Sequence, residues 1–289
     1  MGAGKTLPQS GNRSVLWLCA LAALLEGFDN QSMGVAMPAL RPEFGLDARQ
    51  VSWILSAAPV GLFIGAAIGG RLADRFGRRG TLAASMLLLG LCSMLTALAP
   101  GLATLVLARF LTGVGLGGAL PNFIALASEG SAPGRRVSSV AFLMAGMPLG
   151  GMLSGLVALG EAPLGYGWRA IFAAGGVAPV VLAVVLWRFL PRAVAAAAAA
   201  PPIAEAGPRG RERLEGVASV LFAQGRARTT LLLWGGFFFT QLVLLLMLNW
   251  LPSLFVGLGF SKSQASVASM CFNFCGAACS IFLGRLYAG

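Results

Sequence analysis

The sequence predicts an all-α, multi-pass transmembrane helical bundle, on three observations. Of its residues 57% are hydrophobic and only 11% charged, against roughly 25% charged in a soluble domain. Apolar runs of spanning length, about 20 residues, recur along the whole chain. The 40 glycines suit helices that approach closely in lipid. The expected spans are about 15–38, 51–72, 81–99, 102–127, 137–160, 168–190, 230–256 and 263–284. The first is too long and too acidic for a signal peptide, and no cleavage pattern ends it.

In that first span, LWLCALAALLEGFDNQSMGVAMPAL, the carboxylates Glu26 and Asp29 lie three residues apart, hence on one helical face. An ionised side chain in hydrocarbon costs several kcal/mol, about 2.5–3.5 on insertion scales, and is kept mainly where it meets a polar cavity or a partner. The second span ends in GRLADRFGRR (Gly70–Arg79). Gly77 there permits a tight turn, and Asp74 can meet the positive cluster or a helix N-terminus. The fourth span carries Arg109 and, beside Pro121, Asn122. Depth counting pairs it with the first: at 1.5 Å per residue Asp29 lies roughly 21 Å from the inner edge of a core about 30 Å thick, and Arg109 roughly 9 Å below the outer edge. Arg109 is therefore expected either to pair with the Glu26/Asp29 face or to bind a substrate carboxylate, which a planar guanidinium grips with two hydrogen bonds. Gly146–Gly151, GMPLGG, predicts a bend with close backbone approach in the fifth span. Glu129, Arg135 and Arg136, at the inner end of the fourth, are gate-side charges or plain surface.

The organisation reads as a cytoplasmic N-terminus (1–14), a six-helix bundle (15–190), a cytoplasmic linker (191–229) rich in Ala, Pro and charge, and two further helices (230–289). Gln241, Asn249 and Trp250 lie in the seventh span. The two amides hydrogen-bond a solute or glue helices together, and Trp250 and Phe237–Phe239 stack on an aromatic ring or pack on lipid and helices. The remaining tryptophans fall near span ends, where aromatic belts form. Cys271, Cys275 and Cys279 share a face of the eighth span as small packing residues or, alternatively, for metal or redox chemistry. No His is present, so imidazole relays and His metal sites are excluded.

A net charge of +11 raises nucleic acid as a partner, but its distribution argues against one. With the N-terminus inside, every Lys and Arg falls in a cytoplasmic segment except Arg41, Arg49, Arg169 and Lys262 outside and Arg109 within a span. That is the positive-inside pattern of a chain whose partner is the bilayer.

Gly70, Leu72, Ala73, Asp74, Arg75, Gly77, Arg78 and Arg79 together resemble the loop between helices two and three of the major facilitator superfamily. Glu26-Gly27-Phe28-Asp29 and RFLTGVGLGGALPN (Arg109–Asn122) resemble its aromatic acid:proton symporter branch. TLLLWGGFFFTQ (Thr230–Gln241) and NWLPSLF (Asn249–Phe255) resemble carriers of 3-(3-hydroxyphenyl)propionate and related hydroxylated aromatic acids. At Glu26 many branch members have Asp. The resemblance implies a non-enzymatic transporter in a bacterial inner membrane. It would take up an aromatic carboxylate with protons, the gradient being its driving force and no cofactor being needed. Asp29 and Glu26 would couple protons. Arg109, Asn122, Gln241, Asn249 and Trp250 would bind substrate. Gly70, Asp74, Arg75, Gly77, Arg78 and Arg79 would gate. No GxxxxGK[ST] loop for ATP is present. A sugar or drug carrier on the same scaffold is the alternative substrate reading.

Members of that family usually have twelve helices in two bundles of six, and this chain carries about eight. A second Gly-Arg-Leu, at Gly284, stands six helices after the first, and the chain stops inside that copy, with Ala288 where Asp74 stands in the first. A C-terminal truncation is therefore expected, with a non-transporting remnant as the rival function. Self-association is expected only if the chain is active.

Overall fold

The computed structural model describes residues 9–131, 135–164, 167–190 and 227–286. They form α1 (Gln9–Glu43), α2 (Ala48–Phe76), α3 (Arg78–Ala97), α4 (Leu102–Glu129), α5 (Arg136–Leu164), α6 (Gly167–Phe189), α7 (Ala227–Gly257) and α8 (Lys262–Leu286). No strand occurs among the described residues. Each expected span is one helix, most of them extended past the apolar run because a helix continues into the polar interface, while α3 and α6 end just short of theirs. Arg41 and Arg49, expected in a loop, thus belong to the last turn of α1 and the first turn of α2. Residues 1–8, most of the expected linker (191–226) and the end of the second Gly-Arg-Leu copy (287–289) lie outside the described residues.

Local chemistry sets the ends. Asp47 accepts from the Gln50 amide at 2.7 Å while the Gln50 side chain accepts from the Asp47 amide at 3.0 Å, a reciprocal cap that starts α2. Ser261 and Gln264 form the same pair at the start of α8. Gly77, at φ 81°, separates α2 from α3, a backbone angle that L side chains resist.

Of the eight expected spans, seven, α2 to α8, are long and apolar enough to cross a membrane. α1 is the exception, because its middle carries Glu26, Asp29, Asn30, Gln31 and Ser32. All but Asn30 are buried, so α1 hides its polarity in protein rather than showing it to lipid. It packs against α2, α4, α5, α6, α7 and α8. Glycines allow the close approaches. A Cβ built on Gly61 would lie 2.0 Å from the Phe110 carbonyl oxygen, and one on Gly113 2.0 Å from that of Ala58, so α2 and α4 meet backbone to backbone. Gly27 and Gly150 do the same for α1 and α5.

Two apolar cores result. One gathers Leu82, Met86, Leu89, Phe123, Leu126 and Leu186 around the first part of α1. The other gathers Met37, Leu40, Ile54, Leu105, Ile171 and Phe172 around its second part. Glu26 on α1 and Arg109 on α4 lie in sequence between the two, and Asp29 lies at the near edge of the second. α7 is the loosest element: Asn249 and Pro252 are its buried residues, and Phe237, Phe238 and Phe239 are exposed.

Candidate functional site

At mid-bundle the Arg109 guanidinium meets the Asp29 carboxylate through two parallel contacts, Nη1 to Oδ2 at 3.1 Å and Nη2 to Oδ1 at 3.3 Å. Each residue is 1% exposed. Three neutral groups complete the cradle. Thr96 on α3 accepts from Nε at 3.3 Å and from Nη2 at 3.1 Å. Thr112, one turn along α4, accepts from Nη2 at 3.3 Å. Both threonine hydroxyls donate in turn to carbonyls of their own helices, Cys92 and Ala108, which leaves their lone pairs aimed at the arginine. The Phe172 ring of α6 covers the guanidinium, 4.9 Å from Cζ to the centroid, within cation–π range. One cation thus ties α1, α3, α4 and α6 together, and the structure holds the pairing arrangement of the two expected for Arg109.

Glu26, one turn before Asp29, is also 1% exposed. Its Oε2 has no hydrogen-bond partner among the described residues. An ionised carboxylate in that position is expensive, and binding a proton removes the charge. The site therefore holds two acids of different character, Asp29 locked to a cation and Glu26 with an idle oxygen.

Beside the pair is a crevice lined by Asp29, Asn30, Met33, Pro59, Arg109 and Asn249. It has room for little more than one water molecule, so the pair is closed off from any aromatic solute in this arrangement. Asn249 reaches the crevice from α7, its Nδ2 donating to the Leu245 carbonyl at 2.9 Å. Trp250 packs on the second apolar core. Gln241 is half-exposed on α7 and does not line the crevice. Asn122 is buried but donates to the Gly118 carbonyl at 2.7 Å. It sits thirteen residues beyond Arg109, about 20 Å along α4. Of the expected substrate-binding set, the structure gathers Arg109 and Asn249 at the crevice and leaves Asn122, Gln241 and Trp250 outside it.

The Gly70–Arg79 segment forms the α2–α3 end of the bundle. Arg78 pairs with Glu129 at the end of α4, and Arg79 lies over the Trp187 ring of α6 at 5.5 Å. Arg75 stacks on neighbouring Phe76 at 5.4 Å. Gly70 and Asp74 are exposed, and Asp74 forms no ion pair among the described residues, so it does not meet the basic cluster here.

Two features escaped the sequence reading. Gln31 on α1 and Asn273 on α8 exchange hydrogen bonds, each 2.6 Å, in a buried reciprocal amide pair, seated against Gly151, where a Cβ would lie 1.9 Å from the Gln31 Nε2. An amide in the middle of the apolar α8, Asn273, was the available signal. At the opposite end, Glu43 accepts from Trp168 Nε1 at 2.5 Å and from Arg169 Nη1 at 2.6 Å, joining α1 to α6. The Trp168 hydrogen bond, the largest influence, together with Arg169 holds the Glu43 carboxyl below the usual carboxylate range against the opposing effect of burial. Trp168, expected in an interfacial belt, is buried in this clamp, whereas Trp17, Trp53, Trp187 and Trp234 are exposed.

Comparison with known proteins assigns the family. The family model described as Major Facilitator Superfamily matches residues 19–288. The chain is 41% identical to the 3-(3-hydroxy-phenyl)propionate transporter of Escherichia coli (strain K12), over 98% of this chain and 67% of the relative. It is 33% identical to the 4-hydroxybenzoate transporter PcaK of Pseudomonas putida, over 93% of this chain and 65% of that protein. It thus spans about two thirds of the length of these curated relatives, which are transporters and not enzymes. Among solved structures, a bacterial homolog of the human lysosomal transporter Spinster, inward-facing and unoccupied, superposes with TM-score 0.70 at 19% identity, covering 95% of this chain and 60% of that one. That likeness concerns the fold alone, and it is the fold the helix order predicts. With the family model spanning nearly all of its length and these relatives aligned along it, the chain belongs to the major facilitator superfamily.

Proposed function

We propose that this chain works in proton-coupled uptake of an aromatic carboxylate of the hydroxyphenylpropionate or hydroxybenzoate class. The observation that carries the reading is the buried set of one guanidinium and two carboxyls, Arg109, Asp29 and Glu26. It lies in a chain whose relatives are named for hydroxylated aromatic acids. A sugar has no carboxylate to place on Arg109, which disfavours the sugar-carrier alternative.

The chemistry follows from exchange. An incoming carboxylate competes with Asp29 for the guanidinium, since both offer two oxygens to the same fork. Asp29, released into a low-dielectric site, is costly to keep charged and takes up a proton. Glu26, one turn away, accepts or relays that proton. Substrate and proton then cross together as α1 shifts relative to α4 and opens the crevice. Asn249 borders the same crevice and orients the solute. Gly70, Asp74, Arg75, Gly77, Arg78 and Arg79 form the gate on the cytoplasmic side, and the positive-inside charge pattern sets that orientation.

The test is uptake of labelled 3-(3-hydroxyphenyl)propionate by cells with this chain at verified membrane levels, with and without a protonophore. Protonophore-sensitive accumulation, competed by 4-hydroxybenzoate but not by glucose, is expected. Accumulation no greater than in cells with the empty vector refutes transport by this chain.

A further inference from the structure

A groove of about 550 Å³ opens between α1, α5 and α8 at the α2–α3 end of the bundle, within the size range of small-molecule sites. Its wall carries two aromatic rings, Trp17 and Phe142, set edge to face with centroids 5.2 Å apart. They are 64% and 38% exposed, so their surfaces are available to a third ring. Arg135 is the one charged side chain lining it among the described residues, and Ser138 and Ser139 add hydroxyls. Arg135 is exposed and forms no ion pair with a described carboxylate. Leu16 and Ile281 complete an apolar floor.

These groups complement a flat ring bearing an anion and a hydroxyl. The central pair cannot receive such a solute in this arrangement, since its crevice holds little more than a water molecule. The peripheral groove stands open while the central one is shut.

We propose that this groove is a second, peripheral site for an aromatic carboxylate, with the carboxylate on Arg135 and the ring against Trp17 and Phe142. The proposal rests on the aromatic-acid reading above and adds a station at one end of the path.

The experiment is calorimetric titration of 3-(3-hydroxyphenyl)propionate, and of its neutral amide, into the chain in phosphatidylcholine nanodiscs. Arg135→Gln is expected to weaken binding of the acid about tenfold, the loss of one charge-assisted contact. Arg135→Lys regains part of it, because the charge returns without the fork. Trp17→Leu is expected to weaken it about threefold. The amide binds the parent and Arg135→Gln alike. Arg188→Gln, an exposed cation at the same end but outside the groove, leaves the affinity unchanged.

Acid binding that Arg135→Gln changes less than twofold overturns the peripheral site and leaves the central reading standing. An equal loss in Arg188→Gln overturns it too, since the effect is then a diffuse positive field. Phosphatidylglycerol that displaces the acid from the parent but not from Arg135→Gln assigns the groove to a lipid headgroup instead. A parent chain that binds no aromatic acid removes the aromatic-acid reading and this site together.

Discussion

Replacing Asp29 with Asn keeps the shape of the side chain and removes its charge, which makes it a sharp probe of the buried pair. Arg109 would then sit 1% exposed with Thr96, Thr112 and Phe172 as neutral neighbours. A guanidinium does not lose its proton in a protein, so it has no way to escape the cost of an unpaired buried charge. Breaking such a pair costs about 3–5 kcal/mol. Arg109→Gln strands the opposite partner, but a carboxylate can bind a proton, so its cost is expected at the low end of that range or below it. The double variant Asp29→Asn/Arg109→Gln removes both charges and leaves two amides able to bond each other and the threonines. It is expected to recover most of the loss, to within about 2 kcal/mol of the parent, as neutral replacements of buried ion pairs do. Equilibrium unfolding in mixed micelles, with the three variants and the parent in one thermodynamic cycle, measures the coupling. Single losses that simply add in the double variant, within about 0.5 kcal/mol, would refute the claim that the pair is one energetic unit.

Gly113→Leu places a side chain where a Cβ already lies 2.0 Å from the Ala58 carbonyl oxygen. α2 and α4 must part, at a cost of about 1–3 kcal/mol or more, read as a lower melting temperature and less folded protein in detergent. Gln31→Leu and Asn273→Leu each strand one buried amide and are expected to cost about 1–3 kcal/mol, while the pair changed together costs less than the two separately, again by unfolding in micelles. At the opposite end, Glu43 is held below its ordinary range by Trp168 and Arg169. Its stabilisation is present above the unfolded carboxyl value of about 4.3 and is lost as the pH falls through the lower folded value. The melting-temperature gap between the parent and Glu43→Gln is therefore expected to shrink below about pH 4.3. It is small throughout, about 1 kcal/mol or less, because the pair is largely exposed. A gap that widens on acidification would contradict this sign.

The helices were legible because length and hydropathy alone decide whether a segment spans. All eight runs reappear as helices. The Asp29–Arg109 pair was legible for a related reason: rise per residue converts sequence position into depth, and two opposite charges at one depth in hydrocarbon have few alternatives. What escaped was azimuth. Depth says nothing about which way Asn122 faces, and it turned inward onto its own α4 carbonyl. Nor does it separate Gln241 from Asn249, since only packing shows that the second reaches the crevice. Thr96 and Thr112 were invisible because threonine is common in such helices. Gln31 was hidden among stronger signals in the same stretch.

The failure of α1 to qualify as a span by hydropathy has a structural consequence. A helix with Glu26, Asp29, Gln31 and Ser32 buried can sit in a bilayer only where neighbours enclose it, and α1 has partners on almost every side. Asp29 reaches α4, Gln31 reaches α8, and Glu43 reaches α6, while Gly27 lies against α5 and Gly34 against the Asn249 backbone of α7. These contacts differ in kind. The α5 contact is backbone against backbone at Gly27 and Gly150 and ring against ring at Trp17 and Phe142, with no polar exchange to make there. The α4 and α8 contacts are polar and directional, and under the proposed function each has an alternative: a substrate carboxylate or a proton for the first, water or a solute amide or hydroxyl for the second. In the proposed exchange, a displacement of α1 would therefore break the hydrogen bonds of Asp29 and Gln31, which those alternative partners can replace. On the proposed function, the least membrane-like helix is thus the one on which ligand chemistry and helix position are coupled.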